Sequence, residues 1–168
     1  ILGKTNLSEW ANYRSFDSIS GWSGVGGLTR NPYDLRRSAC GSSSGSAAAV
    51  AAGRAVGAVG TDTGCSIRQP AHCCGIVGHK PTFGLVSKAG VQPLVWSLEH
   101  VGPITRTVED AALMLSAMAG FDAGDPCSVD AAAGPFDSGG GQVKGLRLGV
   151  IRRFFFDGRE DVIETIDA

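Results

Sequence analysis

The stretch from Cys40 to Pro70, CGSSSGSAAAVAAGRAVGAVGTDTGCSIRQP, constrains the fold of this chain more than any other. It contains two Ser/Gly clusters, Gly41-Ser42-Ser43-Ser44-Gly45-Ser46 and Thr63-Gly64-Cys65-Ser66, separated by an alanine-rich segment and a run of small residues. Alanine is the best helix former, so residues 46–52 predict a helix, with Gly53 placed for a left-handed C-terminal cap. Residues 56–60 read as a narrow buried strand, and 67–74 as a helix that tolerates Pro70 in its first turn. The pattern describes a scaffold holding two glycine-rich, hydroxyl-bearing loops at element ends. The first helix starts at the first loop, so its free N–H groups and partial positive charge face residues 42–45. A phosphate cradle is the competing use of that geometry, but the Gly-Lys-Ser/Thr ending of a P-loop is absent.

In the second loop, the successive N–H groups of Thr63, Gly64, Cys65 and Ser66 can converge on one point, the donor array that a tetrahedral oxyanion requires. Ser66, at a strand-to-helix junction, suits two roles: a nucleophile, or a plain helix N-cap. Serine needs a base to act as a nucleophile, and His72, His79 and His100 fall in no recognisable Ser/His/Asp arrangement. The Cys65 thiol is a rival nucleophile that lacks a basic neighbour in the sequence.

The paired loops, with Thr61-Asp62-Thr63-Gly64-Cys65-Ser66-Ile67-Arg68-Gln69-Pro70 at fixed distance from the first, resemble the amidase signature family. The resemblance runs from Gly3-Lys4-Thr5-Asn6 to Gly102-Pro103-Ile104-Thr105-Arg106-Thr107. It implies amide C–N hydrolysis by a Ser-Ser-Lys triad, with Ser66 as the nucleophile. Ser42, 24 residues earlier, is the implied relaying serine on a cis peptide. The family lysine is expected upstream of Ile1, outside these residues, so Lys4, Lys80 and Lys88 are read as structural or surface lysines. Asp62 and Arg68 are implied to frame the site, and Ser43 to bolster the relay loop. Cys65 stands where a glycine is common in the family, which bears on the oxyanion geometry. No metal or organic cofactor is implied. The expected fold is the central part of an α/β/α amidase-signature domain, a mixed sheet between helices, incomplete at both ends. Two further readings stand beside the hydrolase: the glutaminase component of an amidotransferase, which would require a partner subunit, and a non-catalytic binding module.

Fifteen basic and sixteen acidic residues give a net charge of −1 without blocks of like charge, which argues against a nucleic-acid surface. No apolar run approaches ~18 residues and no signal peptide opens the chain, so a cytoplasmic or organelle-matrix setting and no membrane contact are expected. The five cysteines, Cys40, Cys65, Cys73, Cys74 and Cys127, have no framework or paired CxxC spacing and read as reduced thiols. Residues 1–168 are expected to form one partial domain. Residues 12–37 read as a long ordered loop, 76–80 and 84–87 as extended segments, and 92–103 as a loop beside the cleft. A helix over 107–119 opens on a Thr107-x-x-Asp110 capping box. Residues 121–142 read as a surface loop or linker, 146–151 as a strand, and 161–168 as the start of a helix.

Overall fold

In a computed structural model of the chain, residues 1–131, 134–137, 139, 144–147 and 149 are described. The chain divides into two units, Ile1–Ser138 and Gly139–Ala168, and the elements described below lie in the first. Of the strand expected over 146–151, residues 146, 147 and 149 are described and lie in no strand; 148, 150 and 151 fall outside the described residues, as does the whole of the helix expected over 161–168.

Four short strands come first: β1 (Trp22–Ser23), β2 (Gly27–Leu28), β3 (Arg30–Asn31) and β4 (Asp34–Ser38). They pair antiparallel as β1 with β2 and β3 with β4, so the segment 12–37 is not a plain loop but carries two hairpins. Strands this short leave no period-two signal in the sequence, because each face receives only one to three residues. Then come α1 (Ser44–Ala51), β5 (Gly57–Asp62), α2 (Arg68–Cys73), β6 (Val77–Gly78), β7 (His100–Thr105) and α3 (Val108–Met118).

β5, β7 and β6 form one sheet in that order, antiparallel throughout among the described residues. β7 corrects the loop reading of 92–103: its residues 100–103 lie in the central strand. Pro103 disguised it; its carbonyl accepts the His79 N–H at 3.0 Å on the β6 side, so the position of its missing N–H is turned away from Val59 and the β5 ladder.

Side chains alternate across a strand, which sorts the helices onto the two faces of the sheet. A Cβ on Gly57 would meet Met114 of α3, whereas one on Gly60, three residues on and on the opposite face, would meet Ser43 and Ile67. So α1 and α2 cover one face and α3 the other, the α/β/α layering expected from the alternation of elements. On the first face Ala39, Ala47, Val50, Ile67, Cys74 and Ile104 form the core, all fully buried. On the second, Val86, Val101 and Leu115 pack together. Removing a side chain such as Ile67 from water contributes about 1.5–3 kcal/mol.

α1 ends as its sequence predicts: Gly53 adopts φ +67° and its N–H donates to the Val50 carbonyl at 3.0 Å. At the start of α3 the Thr107 hydroxyl accepts the Asp110 N–H at 3.1 Å. Ahead of the strands, Glu9–Asn12 forms a 3-10 turn with left-handed backbone at Trp10 and Ala11. No helix among the described residues is long and apolar enough to cross a membrane.

Lys88 is buried, at 4% exposure. Its Nζ donates to the Trp96 carbonyl at 2.7 Å and lies 4.4 Å from the Phe83 ring centroid and 5.7 Å from that of Trp96. The aromatic faces and the carbonyl compensate for lost hydration of the ammonium. Lys88 thereby fastens the segment 91–99, which walls the cleft described next.

Candidate active site

Two loops are brought together at the edge of β5. The cleft between them has a volume of about 380 Å³ and is lined by Ser42, Ser66, Thr61 and Thr63 from the serine loops and the strand. Its other walls are Leu7 to Ala11 on one side and Val91 to Leu94 with Glu99 on the other.

The first loop is fixed by its serines, each in a different way. Ser43 sits against the free edge of β5: its hydroxyl donates to the Thr61 carbonyl at 3.2 Å and accepts the Thr61 N–H at 3.1 Å. It thus satisfies both backbone groups that Thr61 turns away from β7. Ser46 donates to the Val59 carbonyl at 2.9 Å along the same edge. Ser44 donates to the Asn6 carbonyl at 3.0 Å, which also accepts the Gly45 N–H at 2.9 Å. The Asn6 backbone approaches so closely that a Cβ on Gly45 would lie 2.5 Å from its nitrogen and oxygen, and no larger residue fits there. Ser42 follows a cis peptide after Gly41, is 4% exposed, and its carbonyl accepts the Ser8 N–H at 2.9 Å.

The second loop is held by Asp62. This carboxylate is fully buried, and its Oδ2 accepts the N–H groups of Ile67 at 3.0 Å and Arg68 at 3.3 Å. The Arg68 guanidinium grips it in a fork, Nε to Oδ2 at 3.1 Å and a terminal nitrogen to Oδ1 at 3.2 Å, and also donates to the Gly64 carbonyl. Burial pushes the Asp62 carboxyl up, but the Arg68 side chain and the two backbone N–H groups outweigh it and hold the carboxyl below the ordinary aspartate range.

Asp62 therefore does what Ser66 would do as an N-cap: it satisfies the leading N–H groups of α2 from one turn away. The Ser66 hydroxyl is left without a hydrogen-bond partner among the described residues, as is that of Ser42. The loops are tied directly, the Ser43 N–H donating to the Ser66 carbonyl at 3.1 Å. Two unengaged hydroxyls on rigidly joined loops thus open on one cleft.

Thr63, Gly64, Cys65 and Ser66 form the connection from β5 to α2, and none of their N–H groups donates within the described residues. Cys65 is exposed, its thiol 3.4 Å from the Gln69 side-chain oxygen, and it is absent from the residues with left-handed backbone. A side chain at this position accordingly requires no glycine-like conformation. Lys4 is exposed and lies outside the cleft lining, as do Lys80 and the three histidines.

Three contributors escaped sequence reading. Ser8 carries the Ser42 carbonyl on its N–H and accepts the Gly21 N–H on its hydroxyl at 2.7 Å. Asn6 donates to the Gly27 carbonyl at 3.1 Å and the Thr29 hydroxyl at 2.9 Å, and accepts from the Ser23 hydroxyl at 2.6 Å. Glu99, 7% exposed, accepts the Leu94 N–H on one oxygen and lines the cleft. Each acts across a long sequence separation or within a non-repetitive loop, and leaves no periodic signal.

The layered fold is that of an amidase-type domain, and similarity to known proteins agrees. The Amidase family model matches residues 1–167, so the chain belongs to the amidase family. It is 48% identical over 168 residues to the glutamyl-tRNA(Gln) amidotransferase A subunit of Gloeobacter violaceus, covering 99% of this chain and 33% of that protein. Among solved structures, the native peptide amidase from Stenotrophomonas maltophilia superposes with a TM-score of 0.77 at 55% identity, over 80% of this chain and 28% of that one. The corresponding amidotransferase A subunit from Thermotoga maritima gives 0.69 at 47% identity, over 77% and 27%. The chain spans about a third of the length of the curated relatives it matches.

Proposed function

We propose that this chain carries the nucleophile and proton relay of an enzyme that hydrolyses carboxylic amides. The observation that supports the reading is that, among the cluster serines 42–46 and Ser66, only the hydroxyls of Ser42 and Ser66 are unengaged within the described residues, and both border the same cleft. Ser66 Oγ attacks the amide carbonyl carbon while its proton passes to Ser42 Oγ, whose own proton moves to a lysine outside these residues. The developing oxyanion is received by N–H groups of Thr63, Gly64, Cys65 and Ser66; one such donor contributes about 2.7–4 kcal/mol to lowering the barrier. The intermediate collapses with protonation and loss of the amine, and water then cleaves the Ser66 ester by the reverse relay. Ser43, Asp62 and Arg68 position the loops. The scheme requires no metal or organic cofactor, and a cytoplasmic or organelle-matrix setting suits it.

A second reading, favoured by the likeness to amidotransferase A subunits, is that the same chemistry releases ammonia from glutamine for a partner subunit. The likeness to a peptide amidase favours a small or peptide amide instead. The full-length protein and its Ser66→Ala variant, each incubated with a fluorophosphonate, an aryl amide, a C-terminal peptide amide and glutamine, separate these readings. Labelling and turnover that vanish in Ser66→Ala are expected. A preference for glutamine, raised by a copurifying protein, would select the amidotransferase reading. A folded protein that neither labels nor turns over any amide would leave the binding-module reading.

A further inference from the structure

A second feature lies behind the relay loop, away from the cleft. The sulfurs of Cys40 and Cys73 are 3.1 Å apart although 33 residues separate them in sequence. Cys40 immediately precedes the Gly41-Ser42 peptide, and Cys73 ends α2, the helix that follows Ser66. Their backbones are held on both sides: the Cys40 N–H donates to the Ser38 hydroxyl at 3.0 Å, and the Cys73 carbonyl accepts from the Asn31 side chain at 2.7 Å. Both thiols line an open concavity with Asn31, Arg37, Ser38 and His72, so a small solute reaches them. The other three cysteines are placed differently. Cys74 is buried with its thiol toward the Ala39 carbonyl, Cys65 faces Gln69, and Cys127 lies beyond β7 in the loop anchored by Asp125.

We propose that Cys40 and Cys73 form a reversible dithiol–disulfide site, oxidised by low-molecular-weight disulfides of the glutathione class. A disulfide needs the sulfurs at ~2.05 Å, so they must approach by about 1 Å, within the reach of side-chain rotation. The Cys73 thiolate attacks one sulfur of glutathione disulfide, breaking its S–S bond and expelling one glutathione thiolate. Cys40 then loses its proton to solvent and attacks the Cys73 sulfur, expelling the second glutathione. Two thiols become one disulfide, and the two electrons leave as two reduced glutathione molecules. Burial, and then the contact with Cys73, pushes the Cys40 thiol up to about 11, so the step that consumes the Cys40 thiolate is faster as pH rises. The resulting bond ties the residue preceding the relay loop to the end of α2.

The full-length protein, incubated with excess glutathione disulfide, alkylated and mapped without reduction, tests this. The expected product is a Cys40–Cys73 cross-linked peptide pair, lighter by two hydrogen masses, reversed by dithiothreitol and formed faster at higher pH. In Cys40→Ser the reaction should stop at a glutathione adduct on Cys73. Oxidation that links Cys73 to Cys74, stops at an adduct in the wild type, or leaves Cys40 and Cys73 as alkylatable as in the reduced protein would overturn the proposal. The wild-type map decides this without reliance on the variant's folding.

Discussion

Replacing Asp62 tests the reasoning about the site most directly, because one buried carboxylate holds a helix start, an arginine and the second serine loop. In Asp62→Ala the Ile67 N–H, buried and previously bonded at 3.0 Å, loses its acceptor. A buried donor left unmade costs about 1–3 kcal/mol. Arg68 is 49% exposed, so its ion pair with Asp62 is screened and contributes only about 0–1 kcal/mol. The expected total is roughly 1–4 kcal/mol. In Asp62→Asn the side-chain carbonyl can still accept from Ile67 while the charge is lost, so the cost should fall to about 1–2 kcal/mol. Urea unfolding followed by tryptophan fluorescence measures both. Acid adds an independent arm: the carboxyl is held below its unfolded value of ~3.9, so its contribution is complete above that pH and disappears as pH falls through the folded value. The stability difference between wild type and Asp62→Ala should therefore narrow in strong acid. Equal costs for Ala and Asn, or a difference that does not narrow with falling pH, would refute the assignment of Asp62 as the polar anchor of this loop.

Two further substitutions bear on the same region. Gly60→Ala places a methyl group 2.7 Å from Ser43 Oγ, 2.9 Å from Ile104 and 3.0 Å from Ile67; overpacking of this kind costs about 1–3 kcal/mol, and because Ser43 must yield, fluorophosphonate labelling of Ser66 should slow more than in Thr107→Ala, a destabilised control far from the cleft. Lys88→Met removes the bond to the Trp96 carbonyl and should increase amide exchange across 91–99 by hydrogen-exchange mass spectrometry; unchanged protection there would show that the aromatic contacts alone fasten the cleft wall.

The composition of the site, and the elements that carry it, were legible in the order of residues along the chain. Alanine over 46–52 and glycine at 53 dictate a helix and its end through local energetics, and small residues over 56–60 dictate a strand that others can approach closely. The observed elements, Ser44–Ala51 and Gly57–Asp62, lie within two residues of those ranges. Thr107 likewise caps α3 through a contact of three residues' reach. The resemblance over 61–70 implied that Asp62 and Arg68 frame the second loop, and the two side chains do meet within that turn.

Which hydroxyl is engaged and which is not emerged from packing in three dimensions. Ser42, Ser43, Ser44 and Ser46 are chemically identical in sequence. Ser43 and Ser46 are consumed by the β5 edge and Ser44 by Asn6, which leaves Ser42 on the cleft. The central position of β7 was hidden for a related reason: Pro103 and Gly102 suppress strand propensity locally, and pairing with β5 and β6 overrides it. Ser8, Asn6, Lys88 and Glu99 owe their roles to partners distant in the chain or to loop geometry, and the contact between Cys40 and Cys73 joins residues 33 apart in sequence. Local propensity sets elements residue by residue, whereas a site assembled from both ends of several elements depends on non-local packing, which no single stretch of sequence encodes.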